Sequence, residues 1–285
     1  MRVIILGVRG QLGRELEARF REQHEVTGLD MPEFDITDRG RVFDAVAAVR
    51  AELVINAAAY TDVEKAESEP DLVLRCNAAG AGHAAAAAAA VGAPVVYYST
   101  DFVFDGTSNA PYTEETAFPD LVPLSTYGRT KLMGESATRS ENPNHFILRT
   151  AWLYGPGGNN FVEKILAAAK TRPELRVVSD EIGCPTHTWD LAEATATLCG
   201  AVVPGTYHFV NGGSCSRFEF ARAALELAGI GTPVQPCLAS EFPTAARRPA
   251  RAVLSTDKYT LATGRTPRPW RDALAHYIQR RETGT

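Results

Sequence analysis

Cysteine is sparse and unclustered in this chain. The five, Cys76, Cys184, Cys199, Cys215 and Cys237, are odd in number and form no C-x-x-C. That argues against a disulfide framework or a structural zinc and fits a reducing cytoplasm. Long apolar runs are missing too. The softest stretch, Ala78 to Val91, carries seven consecutive alanines but is interrupted by Gly80, Gly82 and His83. It is too short to span a bilayer and reads as a helix packed closely on a sheet. Basic excess is also absent: the net charge is −5 and the pI about 5.7, which leaves no electrostatic footprint for nucleic acid or an anionic membrane. The densest basic cluster, Arg247-Arg248-Pro249-Ala250-Arg251, suits a small phosphorylated ligand or a solvated loop. The six histidines show no metal-ligand spacing, and a metal or Mg2+ requirement stays undetermined. The first residues run straight into Val3-Ile4-Ile5-Leu6 and Gly7, a β-α start rather than a signal peptide. The expectation is a soluble, cytoplasmic protein with no nucleic-acid or membrane partner.

What is present alternates. Strands are expected at Val3–Leu6, Glu25–Leu29, Leu53–Asn56, Val95–Ser99 and His145–Arg149. Between them helices are expected at Gln11–Gln23, Asp38–Arg50, Pro70–Val91 and Ser125–Thr138, the first with Leu12, Leu16 and Phe20 as an apolar stripe. Near-continuous apolar strands, each followed by a helix, predict a parallel sheet covered on both faces. After about Trp152 prolines and glycines become frequent. Elements are still expected at Asn160–Thr171, Leu175–Val178, Thr188–Cys199, Thr206–Val210, Ser216–Ala228 and Trp270–Arg280. The fold class is therefore α/β, a Rossmann-type doubly wound parallel sheet with a smaller C-terminal α/β part. Residues 1–151 are expected to hold a dinucleotide. Residues 152–285 would mainly bind substrate, with some later segments returning to the first part and the site in the cleft between.

Gly7-Val8-Arg9-Gly10-Gln11-Leu12-Gly13 follows a strand and opens a helix, the context that gives a G-x-x-G-x-x-G run meaning. Glycines let the backbone turn and approach a pyrophosphate, which favours a helix N-terminus. Asp30 ends the second strand about 20 residues further on, where an acid reads a ribose 2′-hydroxyl. That leans toward NADH, while Arg9 could pair with a 2′-phosphate and keeps NADPH open. Asp35 and Ile36 suit an adenine pocket, or Asp35 caps the following helix. The small residues ending the third strand, before Ala59, Tyr60 and Thr61, let a cofactor lie against the backbone.

Chemistry enters with Tyr127-Gly128-Arg129-Thr130-Lys131. Residues i and i+4 share a helix face, so Lys131 can stand beside the Tyr127 phenol. A neighbouring ammonium lowers a phenol pKa, which suits proton exchange with a sugar oxygen. Val95-Val96-Tyr97-Tyr98-Ser99-Thr100-Asp101 ends a strand in hydroxyls and a carboxylate, at the sheet edge where such folds bind ligands. Thr100 can hydrogen-bond a substrate oxygen, or cap a helix.

Thr100, Tyr127 and Lys131 together resemble the Ser/Thr–Tyr–Lys arrangement of the short-chain dehydrogenases, in the extended group. Asn56-Ala57-Ala58-Ala59-Tyr60-Thr61-Asp62-Val63-Glu64-Lys65-Ala66-Glu67-Ser68-Glu69-Pro70 resembles the dTDP-4-dehydrorhamnose reductase family. So do Ser99 to Gly106, Arg149 to Gly155 with Asn159-Asn160-Phe161, and Arg247-Arg248-Pro249, from Met1 to about Trp270. The resemblance implies that Gly10, Gln11 and Leu12 hold the pyrophosphate, Asp30 the ribose, and Asp35 with Ile36 the adenine, while Ala59, Tyr60 and Thr61 flank the cofactor. It implies Tyr127 as general acid, with Lys131 holding the nicotinamide ribose. It places Thr100, Asp101 and Trp152 at the sugar and Arg248 at the diphosphate.

The implied activity is NADH- or NADPH-dependent reduction of the C4 ketone of dTDP-6-deoxy-L-lyxo-4-hexulose to dTDP-L-rhamnose, with a homodimer open. The alternatives are a ketoreductase for another dTDP-deoxysugar, or a non-catalytic subunit like the regulatory subunit of methionine adenosyltransferase. Phe102, where a dehydratase would carry glutamate, argues against that class. Ala151 stands where serine is expected and Ala252 where a small hydroxyl residue is. Glu15 is expected on a solvated helix face, although in some relatives it would meet a dimer interface or metal. Glu114-Glu115 is expected in an exposed loop, and His83 and His208 in structural roles.

Overall fold

The computed structural model describes residues 1–116 and 121–283; residues 117–120 and 284–285 lie outside the described residues. The first half runs β1 (Arg2–Leu6), α1 (Gln11–Arg21), β2 (Glu25–Leu29), α2 (Arg39–Val49), β3 (Leu53–Asn56), α3 (Val63–Ala66), α4 (Pro70–Leu74), α5 (Gly80–Ala90), β4 (Val95–Thr100), α6 (Thr126–Glu141) and β5 (His145–Thr150). Then follow β6 (Leu153–Tyr154), α7 (Phe161–Ala169), β7 (Leu175–Val178), β8 (Ile182–Gly183), β9 (Thr186–His187), α8 (Thr188–Ala201) and β10 (Gly205–His208). The chain ends with β11 (Cys215–Ser216), α9 (Arg217–Leu227), β12 (Val234–Cys237), α10 (Asp257–Thr263) and α11 (Trp270–Thr283).

Six strands form one sheet in the order β10-β5-β4-β3-β1-β2, and every pairing in it is parallel. Alternation along β1 sorts the two faces. Val3 and Ile5 pack with Leu12 and Leu16 of α1 and Leu191 and Leu198 of α8, whereas Ile4 and Leu6 pack with Val42 and Val46 of α2 and the α5 alanines. The alanine run thus gives α5 a smooth face that lies close on the sheet. The C-terminal part has its own core of Val162, Leu166, Leu175, Phe220, Leu225 and Leu274, with β7 paired to β12. The later strand β10 completes the main sheet beside β5.

Strand order reverses at β1, which lies between β2 and β3, and the C-terminal ends there form the crevice for a ligand. Gly7 turns with φ 85°, and a Cβ on it would stand 2.5 Å from the Ala58 amide nitrogen. A Cβ on Gly13 would clash with the Gly7 carbonyl and the Val8 backbone, so that glycine seats α1 on β1. Gly13→Ala should lower unfolding free energy by about 1–3 kcal/mol through overpacking, read from urea denaturation.

The expected helix at Pro70–Val91 is continuous but changes its winding midway. Between α4 and α5 the chain widens into a π-helical turn at Arg75–Ala79. Asn77 lies in it and reaches out of the helix to the backbone of Tyr60, accepting from its N–H at 2.8 Å and donating to its carbonyl at 3.1 Å. The helix expected at Asp38 begins one residue later, with Asp38 itself as the cap. Asp35 instead accepts from the Thr37 N–H at 2.8 Å.

Candidate functional site

Two adjoining cavities, of about 470 and 730 Å³, open along the C-terminal edge of the sheet and share Gly10, Ala57 and Ala59. Gly7, Asp30, Asp35, Ile36 and Tyr60 line the smaller one. Gln11, Leu12, Gly13, Thr61, Thr100, Asp101, Tyr127, Lys131, Trp152 and Arg248 line the larger. The structure therefore brings all the residues expected at the site onto these two adjoining cavities.

The smaller cavity carries the residues expected at the adenosine end of a dinucleotide. Gly10 precedes α1 with no side-chain cap and no acid in the first turn, which leaves the positive helix end free for a phosphate. Asp30 accepts from the backbone N–H groups of Arg9 and Met31, both at 2.7 Å. The Arg9 guanidinium donates to the Met31 carbonyl at 2.5 Å and pairs with Glu33 at 2.8 Å. Acid and base thus stand side by side on the lining of the smaller cavity. The Tyr60 phenol donates to Glu69 at 2.5 Å, a bond that helps push it up to about 12.

The catalytic end is built on α6. Ser125 caps the helix by accepting from the Gly128 N–H at 3.1 Å, and Glu67 accepts from the Thr126 N–H at 2.7 Å. A Cβ on Gly128 would clash with the Phe102 carbonyl, so this glycine lets the Tyr127 turn approach the end of β4. There Tyr127 meets Phe102 edge-on, with centroids 5.5 Å apart. Thr100 caps a short 3-10 turn by accepting from the Phe102 N–H at 3.2 Å, and donates to Asp101 at 3.0 Å. Capping and lining the cavity are thus compatible roles for Thr100.

Electrostatics correct one expectation. Burial and the charge of Asp101 push the Tyr127 phenol up to about 12, against the pull of a Thr100 hydrogen bond. Lys131 is not among the groups that move it. Its ammonium lies 4.2 Å over the Tyr97 ring, and burial pushes it down to about 7 against the raising effect of Glu135. The phenol is thus kept as a proton donor across neutral pH. Between about pH 7 and the model-peptide lysine value of about 10.4, the unfolded chain binds more protons than the folded one, so the stability cost of Lys131 falls as pH rises. Lys131→Met should therefore be stabilising at pH 6 and lose that advantage by pH 10, as melting temperatures across that range will report.

Asp101 is buried with one carboxylate oxygen unbonded. Burial raises it to about 6, with Thr100 and Arg217 opposing. Trp152 has φ 44°, a strained backbone for a bulky residue, and packs against both Phe220 and the Ala151 cluster. It is both a core aromatic and a wall of the cavity. Arg248 pairs with Glu64 at 2.5 Å. Ala151 lines the larger cavity; Ala252 is buried within the fold, its N–H bonded to the Ile182 carbonyl at 3.0 Å. Sequence reasoning missed Arg217 and Asn77, whose contacts lie far along the chain.

Two carboxylates also depart from expectation. Glu15 is buried and bonded at 3.0 Å to Arg280, which reaches it from α11. Glu114 is partly buried and accepts from the His208 N–H at 2.6 Å, at the edge strand of the sheet. Among the described residues no group of three or more His, Cys, Asp or Glu side chains is placed to hold a metal ion, and no helix is long and apolar enough to cross a membrane.

Comparison with known proteins agrees over nearly the whole chain. The family described as the RmlD substrate binding domain matches residues 1–283. The spore coat polysaccharide biosynthesis protein SpsK of Bacillus subtilis is 40% identical over 283 residues, covering 99% of this chain and 98% of that protein. A dTDP-4-dehydrorhamnose reductase of Sinorhizobium fredii is 39% identical, covering 98% and 97%. The crystal structure of dTDP-4-dehydrorhamnose reductase from Bacillus anthracis, in complex with NADP, is 38% identical and superposes with a TM-score of 0.94 over 98% of both chains. The chain belongs to the RmlD substrate binding domain family, beside the dTDP-4-dehydrorhamnose reductases it matches in sequence and in shape.

Proposed function

We propose that this protein is an NAD(P)H-dependent dTDP-4-dehydrorhamnose reductase, converting dTDP-6-deoxy-L-lyxo-4-hexulose to dTDP-L-rhamnose at the end of dTDP-rhamnose synthesis. The observation that carries this reading is the convergence of Thr100, Asp101, Tyr127 and Lys131 on the same cavity as the glycine-rich turn. A bound nicotinamide supplies the hydride for the C4 carbonyl. Tyr127 donates its proton to the C4 oxygen as negative charge develops there, and Thr100 offers a hydrogen bond to the same atom once its hydroxyl turns from the Asp101 carboxylate. Lys131 holds the nicotinamide ribose. Gln11 and Leu12, with Gly10, take the pyrophosphate, and Asp35 with Ile36 frames the adenine. Asp101 and Trp152 face the sugar, and Arg248 faces the diphosphate.

Asp30 by itself favours NADH, and the NADP-bound relative supports NADPH. The division of labour goes with the same proposal: residues 1–151, completed by β10, serve the cofactor, and the rest of the chain serves the sugar. So do a cytoplasmic location and a homodimer, the latter checked by sedimentation.

A second reading, reduction of another dTDP-4-keto sugar, is favoured by the Ala151 methyl in the cavity wall, where a serine was expected. Oxidation of NADH and NADPH with enzymatically generated dTDP-6-deoxy-L-lyxo-4-hexulose tests both. Rapid oxidation yielding dTDP-L-rhamnose supports the first; slow turnover or a different C4 epimer supports the second. No oxidation with either cofactor sinks both and leaves the non-catalytic subunit.

A further inference from the structure

The geometry points to Arg217 as a substrate-binding residue, one jaw of a clamp that closes with Arg248 on the diphosphate of a nucleotide sugar. This rests on the proposed function and adds to it a residue at the start of α9. Arg217 and Arg248 line the same cavity as Trp152. The Arg217 guanidinium lies 3.5 Å from the centre of the Trp152 ring, a stack that fixes its plane and leaves its edge N–H groups to point outward. The stack is built rather than incidental. Trp152 is held at positive φ, a Cβ on Gly183 would clash with its indole, and a reciprocal Ser216–Glu219 capping box anchors the helix that carries Arg217.

That guanidinium is also unspent. Among the described residues it makes no side-chain hydrogen bond, and its carboxylate neighbour, Glu181, stands at 3.7 Å. Asp101 is close enough to feel its charge, yet leaves an oxygen unbonded instead of pairing with it. Burial pushes Arg217 down to about 10 against the raising charges of Glu181 and Asp101, and like-charge repulsion from Arg248 adds a smaller share of the lowering. Two cations that repel within one cavity, one tethered by Glu64 and one loosely by Glu181, are relieved by a ligand carrying two adjacent negative groups.

Calorimetric titration of the intact protein with dTDP and with thymidine tests the clamp. Arg217→Gln should weaken dTDP about 10- to 100-fold, the range for lost charged hydrogen bonds, with thymidine and NADPH affinities unchanged. Arg217→Lys should recover part of the loss and supplies the answer if the glutamine variant does not fold. Unchanged dTDP affinity in a variant with the wild-type melting temperature overturns the clamp and leaves the reductase reading standing. Equal weakening of dTDP and thymidine also overturns it and makes Arg217 a prop for Trp152. A wild-type protein that neither binds dTDP nor turns over the keto sugar overturns the function and the clamp together.

Discussion

Tyr127→Phe should lower kcat by about 10²–10⁴-fold, the usual cost of removing one general acid, while NADPH binding stays near its wild-type value. The ring survives the substitution, so its edge-on contact with Phe102 and the capped start of α6 are kept. Only the transferable proton is lost. The cavity assigned to adenosine is lined by other residues, Asp30, Asp35 and Ile36 among them. Single-turnover oxidation of bound NADPH, combined with a fluorescence titration of the cofactor, separates the two effects. A phenol held up to about 12 also implies that the wild-type acid stays loaded through the neutral range. Any loss of reduction rate between pH 7 and 9 then belongs to another group, for which Lys131 at about 7 is the candidate in the same cavity. Full turnover by the phenylalanine variant would remove Tyr127 from the mechanism.

Arg149→Met should cost about 3–5 kcal/mol of stability, the range for leaving half of a buried ion pair unpaired. Arg149 and Glu135 are both buried, and the guanidinium donates to the two carboxylate oxygens at 2.8 and 2.9 Å. Burial works against the Glu135 charge, but Arg149 and Arg139 hold its pKa near 2. The unfolded chain therefore binds more protons than the folded one between about 2 and 4.5, and the pair's contribution disappears as pH falls through that window. Urea denaturation at pH 7 should show the full loss and at pH 3 a smaller one. Glu135→Leu combined with Arg149→Met should recover much of it. An equal loss at both pH values would mean that Arg149 acts by packing against Phe104 rather than by charge. Activity of the double variant should fall, because Glu135 is the charge that favours the ammonium form of Lys131.

The sheet was readable because its strands are buried on both faces and so are written as near-continuous apolar runs such as Val3–Leu6 and Val95–Tyr98. The glycine turn and the Tyr127–Lys131 pair were readable because backbone geometry alone fixes their spacing. What escaped depends on contacts between distant segments. Nothing local to Arg75–Ala79 announces an extra residue in the turn; it is stabilised by Asn77 bonding to Tyr60. Arg217 looks like any first-turn helix residue until Trp152 is placed beneath it. Glu15 sits on a polar stretch of α1, and its partner Arg280 reaches it from α11, far along the chain. The interplay of Tyr127 and Lys131 was misread for a similar reason. The i, i+4 rule gives proximity of the two residues but not the depth at which each charge is buried.

The place of β10 has a consequence for how the chain is made. Its neighbour β5 ends at Thr150, yet the strand that covers that edge begins at Gly205. A nascent chain that has emerged only as far as Ala151 therefore carries a sheet with one open, apolar edge, a template for pairing with another chain. A fragment cut at Ala151 would aggregate in the same way, and one cut after Phe209 would have the β5 edge covered by β10. The ribosome leaves this protein with an interval of vulnerability that ends when His208 is in place.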